Sequence, residues 1–230
     1  MNLLIGDSHI CCLENYNKKY NNELYQFSAA SIRGLINTNS ISQTRTKILN
    51  LFTNNKYLKI FIMFGKVDIE WIYPYKCKNK NIDFNEYVTD IINIYIEFIN
   101  ELSLFVIPDN IYILGLHLPS LNESDMLKCI NSNSAINDVS SKANIDIDIH
   151  PIKKIGSLKE RTNQICFFNN ILKEKIYNIN KYNYIDITDE LFDYTTNTCK
   201  KELVSNMDHH LIRNQTGLIW FNKHLNMLFS

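Results

Sequence analysis

No C-x-x-C pair occurs among the six cysteines, and Cys11 and Cys12 are adjacent, a spacing at which a mutual bridge is strained. A disulfide framework and a cysteine zinc site are therefore not expected, and the reading is a reduced, intracellular protein. Cys166 falls in an apolar helical run and reads as a small buried hydrophobe. Net charge is also missing, with 24 Lys and Arg against 24 Asp and Glu. No bulk field is then available to hold nucleic acid or an anionic membrane. The Lys76-Cys77-Lys78-Asn79-Lys80 cluster reads as a solvated loop. No apolar stretch approaches the length of a membrane span. Asp7 interrupts the first apolar run too early for a signal peptide, and no internal repeat is visible. These absences point to a soluble, cytoplasmic protein with a small-molecule partner. Nucleic acid, membrane and cofactor are not expected, and the oligomeric state stays open.

What the 230 residues do contain is alternation. Apolar runs predict strands at 2–6, 25–29, 58–64, 111–116 and 184–187. Helical periodicity fills 43–53, 85–104, 158–178 and 214–228. In the second of these helices Val88, Ile91, Ile92, Ile94, Tyr95, Ile99 and Leu102 recur at helical spacing. Strands separated by helices predict an α/β fold: a three-layer α/β/α sandwich, flavodoxin-like, with a mostly parallel five-stranded sheet in the order 2-1-3-4-5. The length suits one domain over 1–230. Residues 131–155 break the pattern and read as a loop or hairpin insertion.

Ligands of such sheets collect beyond the carboxyl ends of the strands. Ser8 lies just past the first strand, Gly34 past the second, Gly65-Lys66-Val67-Asp68 past the third and His117 past the fourth. The opening Ile5-Gly6-Asp7-Ser8-His9 supports two readings. Gly, Asp and Ser suit an ordinary strand-to-helix turn. Equally, a serine so placed is a nucleophile if a histidine reaches it, and Asp208-His209-His210 near the other end offers one with a carboxylate beside it.

These residues resemble the blocks of the SGNH (GDSL-like) hydrolases, and the resemblance runs from Leu3 to the final helix. Gly6-Asp7-Ser8 looks like the first block. Ser31-Ile32-Arg33-Gly34-Leu35 looks like the second, Phe64-Gly65-Lys66-Val67-Asp68 the third and Asp208-His209-His210-Leu211 the last. Arg161…Phe168-Asn169-Asn170, followed by Tyr184-Ile185-Asp186, is similar to the helix and strand before that block. The resemblance implies a serine esterase or deacylase with Ser8 as nucleophile, His210 as base and Asp208 as its acid. Backbone N–H groups of Ser8 and Gly34 would form the oxyanion hole. Asp7, Gly65, Asp68, His209 and His117 would support the site or touch substrate. The implied substrate is a small ester, such as an O-acylated carbohydrate.

Two positions depart from the family pattern. The block-three asparagine is Val67, which donates no hydrogen bond, leaving Asn37, Asn39 or Lys66 as substitutes. Three residues before His210 stands Met207, so the acid is displaced to Asp208, or a backbone carbonyl orients the histidine instead. His210 is preferred to His209 because a leucine and then a helix follow it. Two other outcomes stay open: an acyltransferase using the same serine, and a non-catalytic carbohydrate- or protein-binding domain.

Other residues have plainer readings. His9 reads as a solvent-facing residue at a helix start. His117 reads as a rim residue or a loop histidine before Pro119. Asp68 reads as a brace for the serine loop. Trp71, Tyr73 and Tyr75 offer flat faces suited to a sugar or to local packing. A metal is not expected, because His210 and His224 are too far apart on a helix to ligate together.

Overall fold

Leu3, Leu4 and Ile5 are fully buried, as are Ile60, Phe61, Ile62 and Met63. Successive strand residues face opposite sides, so both faces of these strands are covered. The computed structural model describes residues 1–17, 20, 22–38, 40, 42–78, 80–132, 152–205 and 208–229. β1 (Asn2–Gly6), β2 (Asn22–Gln26), β3 (Ile60–Met63), β4 (Ile111–Leu114) and β5 (Asn183–Ile185) form one sheet in the order β2-β1-β3-β4-β5. Every pairing is parallel; Leu3 lies opposite Glu23 on one side and Ile60 on the other. The predicted sheet and strand order are those observed.

Helices surround the sheet: α1 (Ile32–Ile36), α2 (Thr44–Asn54), α3 (Phe84–Leu102), α4 (Glu123–Ser132), α5 (Leu158–Ile179) and α6 (Arg213–Trp220). The long apolar stripe of α3 buries Val88, Ile91, Ile92, Tyr95, Ile99 and Leu102. α5 starts with a capping box between Ser157 and Glu160. From its middle, Asn169 clamps the exit of β4, accepting from Leu116 N–H at 2.8 Å and donating to Leu116 O at 2.9 Å. No helix of the described residues is long and apolar enough to cross a membrane.

The second strand lies three residues earlier than its sequence reading. Ala29 has φ 57, a left-handed turn that no strand accommodates, so the aromatic stretch around Phe27 is the strand's exit. The final helical stretch covers its predicted range, α6 passing into a π-helical turn at Phe221–Leu225 and then a last α-helical turn at Asn226–Phe229. A two-stranded antiparallel hairpin, Phe192–Asp193 with Thr198–Cys199, was not anticipated. The insertion expected over 131–155 falls mostly outside the described residues; 131–132 end α4 and 152–157 lead into α5.

The first 3-10 helix, Ser8–Leu13, packs directly on α6 at Gly217. A Cβ there would stand 2.2 Å from the carbonyl oxygen of Cys12, a backbone atom that cannot swing aside. Gly217→Ala should therefore destabilise the fold by about 1–3 kcal/mol, as overpacking does. The shift should also disturb the turn that begins at Ser8. Urea unfolding reads the first effect, and an unchanged midpoint would show that this contact yields without strain.

Candidate active site

Ser8 is the first residue of the 3-10 helix capped by Asp7, whose Oδ1 accepts the His9 N–H at 3.0 Å. Asp7 N–H is itself fixed to Met63 O at 3.0 Å, which holds the serine turn over the end of β3. From the other end of the chain, the segment after Leu203 returns to the rim. Ile212 N–H donates to Leu203 O at 2.9 Å, and Ser120 Oγ–H donates to Asp208 O at 3.2 Å. That return places His210 Nε2 at 2.8 Å from Ser8 Oγ, and His210 Nδ1 at 2.7 Å from Asp208 Oδ1. The same carboxylate oxygen accepts the His210 backbone N–H at 3.2 Å. Serine, histidine and acid thus stand in one hydrogen-bonded line, with the acid two residues before the histidine. Burial raises the Asp208 carboxyl, and the bond and charge of His210 more than offset it, leaving it below its ordinary range.

His9 is not solvent-facing, as its local sequence led us to expect. It is 3% exposed, and its ring centroid lies 4.6 Å from that of His210. The cause is long-range: the returning 208–211 segment covers it. Its Nδ1 lies 3.0 Å from Asp7 Oδ1, so Asp7-Ser8-His9 repeats the local geometry of Asp208-His209-His210. Burial, reinforced by the Lys66 charge, pushes the His9 imidazole well below its usual range. His209 is half-buried, its ring 3.9 Å from His210 and edge-on to Trp71 at 5.4 Å. Its Nδ1 shares Asp208 Oδ1 at 3.2 Å, and burial followed by the His210 charge lowers it to about 4.

His117 lies in the loop after β4, as its place before Pro119 implied, but it does not face substrate. It is buried, and its Nε2 accepts the Trp220 Nε1–H at 2.8 Å. His224 turns away, with Nε2 2.7 Å from Asp186 O. Tyr73 is local packing, donating to Ile82 O at 3.1 Å beneath Phe84 and Tyr87.

The oxyanion donors differ from the sequence reading in detail. Gly34 N–H points back into its own helix cap, 3.1 Å from Ser31 Oγ and 3.0 Å from Ser31 O. Val67 packs against the apolar cluster of Trp71, Leu121 and Met126. Asn37 is exposed, and Asn39 lies outside the described residues. Lys66 is buried and committed: its Nζ donates to His117 O at 2.5 Å and lies 3.3 Å from Glu70 Oε2. Glu70 Oε1 in turn meets Arg161 Nη1 at 3.2 Å, while Arg161 also donates to Leu121 O and Gly156 O. This buried trio ties the loops after β3 and β4 to α5. Burial raises the Glu70 carboxyl, but Lys66 and Arg161 outweigh it and hold it below its usual range.

Gly65 takes φ 129, a conformation that suits glycine alone, with Phe168 2.9 Å from where a Cβ would be. It lets the chain turn sharply into the π-helical turn Asp68–Ile72. Asp68 braces the second loop rather than the serine loop, its Oδ2 accepting Ile32 N–H at 2.8 Å. Its Oδ1 is buried without a partner among the described residues. Burial, opposed by the Ile32 N–H, raises the Asp68 carboxyl to about 7. A carboxyl that binds its proton more tightly in the folded chain contributes stability fully present below pH 3.8 and lost as pH rises through 7. The stability advantage of wild type over Asp68→Asn should therefore shrink from pH 4 to pH 8, by about 4 kcal/mol. Urea unfolding of both proteins at each pH measures it, and a constant difference would mean that Asp68 is ionised throughout.

No family model matches the chain, and no curated protein matches it by sequence. Solved structures do match in fold. A candidate platelet activating factor from Streptococcus pneumonia is 17% identical and superposes with a TM-score of 0.54, over 100% of this chain and 83% of its own. A candidate acylhydrolase from Bacteroides fragilis is 10% identical, with a TM-score of 0.56, covering 100% and 88%. A GDSL-like lipase from Bacteroides thetaiotaomicron is 9% identical, with a TM-score of 0.55 and the same coverage. At these identities the likeness is one of fold: the chain has the α/β fold of GDSL-like hydrolases, as its strand–helix alternation and block resemblance implied.

Proposed function

We propose that the protein is a serine esterase or deacylase acting on a small ester. The observation that carries this is the line Ser8 Oγ–His210 Nε2–Asp208 Oδ1, with contacts of 2.8 and 2.7 Å. With Nδ1–H donated to the carboxylate, Nε2 of His210 is free to take the serine proton as Oγ attacks an acyl carbon. The Oγ–acyl bond forms, the carbonyl π pair moves onto oxygen, and the alcohol leaves with the proton from His210. Water then repeats the sequence and releases the acid. Ser8 N–H, in the first turn of its 3-10 helix, has no carbonyl one turn earlier in that helix and is the backbone donor best placed for the oxyanion. The substrate class is a small ester, with an O-acylated carbohydrate as one member; Trp71 is buried among Leu121 and Met126 and serves packing rather than a sugar face.

One observation favours a second reading, a non-catalytic binding domain on this fold: Gly34 N–H is capped by Ser31 Oγ and position 67 carries no donor. A fluorophosphonate probe separates the two. The hydrolase reading expects labelling at neutral pH on the peptide containing Ser8, and an unreactive folded protein would leave the binding domain. Product analysis with and without a sugar acceptor then distinguishes hydrolysis from acyl transfer.

A further inference from the structure

Two identical devices face one another across the nucleophile. In each, an aspartate Oδ1 accepts the backbone N–H two residues on and engages the Nδ1 of that residue's imidazole, in Asp7–His9 and in Asp208–His210. For His210 the remaining nitrogen has an occupant, Ser8 Oγ. For His9 it does not. Nε2 of His9 is buried and has no hydrogen-bond partner among the described residues. An unpaired buried nitrogen calls for an explanation, and the proposed acyl chemistry uses His210 alone.

The surroundings supply one. His9, His209 and His210 each bring a ring nitrogen within 4.8 Å of one from each of the others. Tetrahedral Zn²⁺–imidazole bonds of about 2.0–2.1 Å set nitrogens about 3.4 Å apart. Closing the present gap therefore takes rotamer adjustments of roughly an ångström, and His209 is exposed enough to make them. Imidazole nitrogen suits borderline-soft cations, and a carboxylate behind the ligating ring fixes its orientation and raises its basicity. Asp7 and Asp208 are already in that position. His9 takes the place of His224, which is bonded to Asp186 O instead.

We propose that His9, His209 and His210 bind one Zn²⁺-like divalent cation, and that its occupation withdraws His210 from Ser8 and silences the serine. The second half rests on the hydrolase reading; the first does not. His210 Nε2 cannot hold a cation and accept the Ser8 proton together, so metal and acyl chemistry exclude one another. Water fills the fourth position of the cation, and the protein is active when metal-free.

Co²⁺ titration of the chelator-treated full chain tests the binding directly by visible absorption, without reference to activity. One Co²⁺ per chain is expected. His9→Gln and His209→Gln should each weaken binding by more than the roughly 10–100-fold that loss of an outer-shell partner costs. Circular dichroism verifies that each variant is folded, and either one suffices if the other is not. Ser8→Ala, which frees His210 Nε2, should bind at least as tightly as wild type. In wild type, Zn²⁺ should slow fluorophosphonate labelling of Ser8 in step with occupancy, and chelator should restore it. In His9→Gln the ratio of labelling rates with and without Zn²⁺ should return to one. Absence of Co²⁺ binding, or binding that survives both histidine changes, overturns the site. Co²⁺ bound as expected while labelling proceeds unslowed overturns the inhibition. Co²⁺ bound to a protein whose serine never reacts leaves the site standing and removes the hydrolase reading instead.

Discussion

Ser8→Ala is expected to lose ester hydrolysis by a factor of about 10⁴ or more, and fluorophosphonate labelling entirely. The reason is that the alanine has no oxygen to carry the acyl group, and among the described residues no other hydroxyl bonds His210. At about 1.4 kcal/mol per decade the loss exceeds roughly 5 kcal/mol of transition-state stabilisation. His210→Ala should fall nearly as far, since the serine hydroxyl keeps its proton without a base. The two losses should not add, because each removes the same unit. Asp208→Asn should be about a hundredfold less severe than either. Its side chain is 45% exposed, so water replaces part of what it supplies, and the backbone N–H of His210 still fixes the turn. His209→Ala should cost far less than His210→Ala, because His209 meets the acid but not the serine. Rates with an activated ester and labelling with the probe measure the series. If His209→Ala proves the more damaging histidine change, the base is the neighbour and the line described above is not the working one.

Much of this was legible for a physical reason: the relevant signals are local and apolar. Leu3-Leu4-Ile5 followed by Gly6-Asp7-Ser8 states a buried strand and its exit within six residues, and β1 is indeed an interior strand, between β2 and β3. Asp208 and His210 are two residues apart, so their bond was readable although the serine they serve is 202 residues away. Edge and long-range features were not legible. β2 is an edge strand of mostly polar residues, Asn22–Gln26, and the aromatic pair at its exit drew the reading three residues too far. His9 was misread because what covers it arrives from the far end of the chain. Lys66 looked like a possible hydrogen-bond donor to substrate, and Glu70 attracted no notice. Their i,i+4 spacing was the one available signal, and it does not distinguish a buried pair from a solvated one. Arg161, which completes the trio, lies 91 residues beyond Glu70.

That trio carries the largest expected effect on stability. Lys66, Glu70 and Arg161 are 1–2% exposed, and Glu70 is the only carboxylate the described structure pairs with either cation. Glu70→Ala leaves two buried positive charges facing each other, a change that costs about 3–5 kcal/mol where one partner of a buried pair is removed. Replacing all three by apolar residues of similar volume, Lys66→Met with Glu70→Leu and Arg161→Met, should recover most of the loss, because the desolvation of three charges disappears with them. The triple change should nonetheless cost activity. Lys66 Nζ holds the carbonyl of His117, and Arg161 holds those of Leu121 and Gly156, so the loops after β3 and β4 would keep their packing but lose their anchors. Urea unfolding of the single and triple variants separates the two effects, with hydrolysis rates read on the same samples. A Glu70→Ala midpoint close to wild type would mean that water reaches the two cations. A triple variant no more stable than Glu70→Ala would mean that the trio is held by shape rather than by charge.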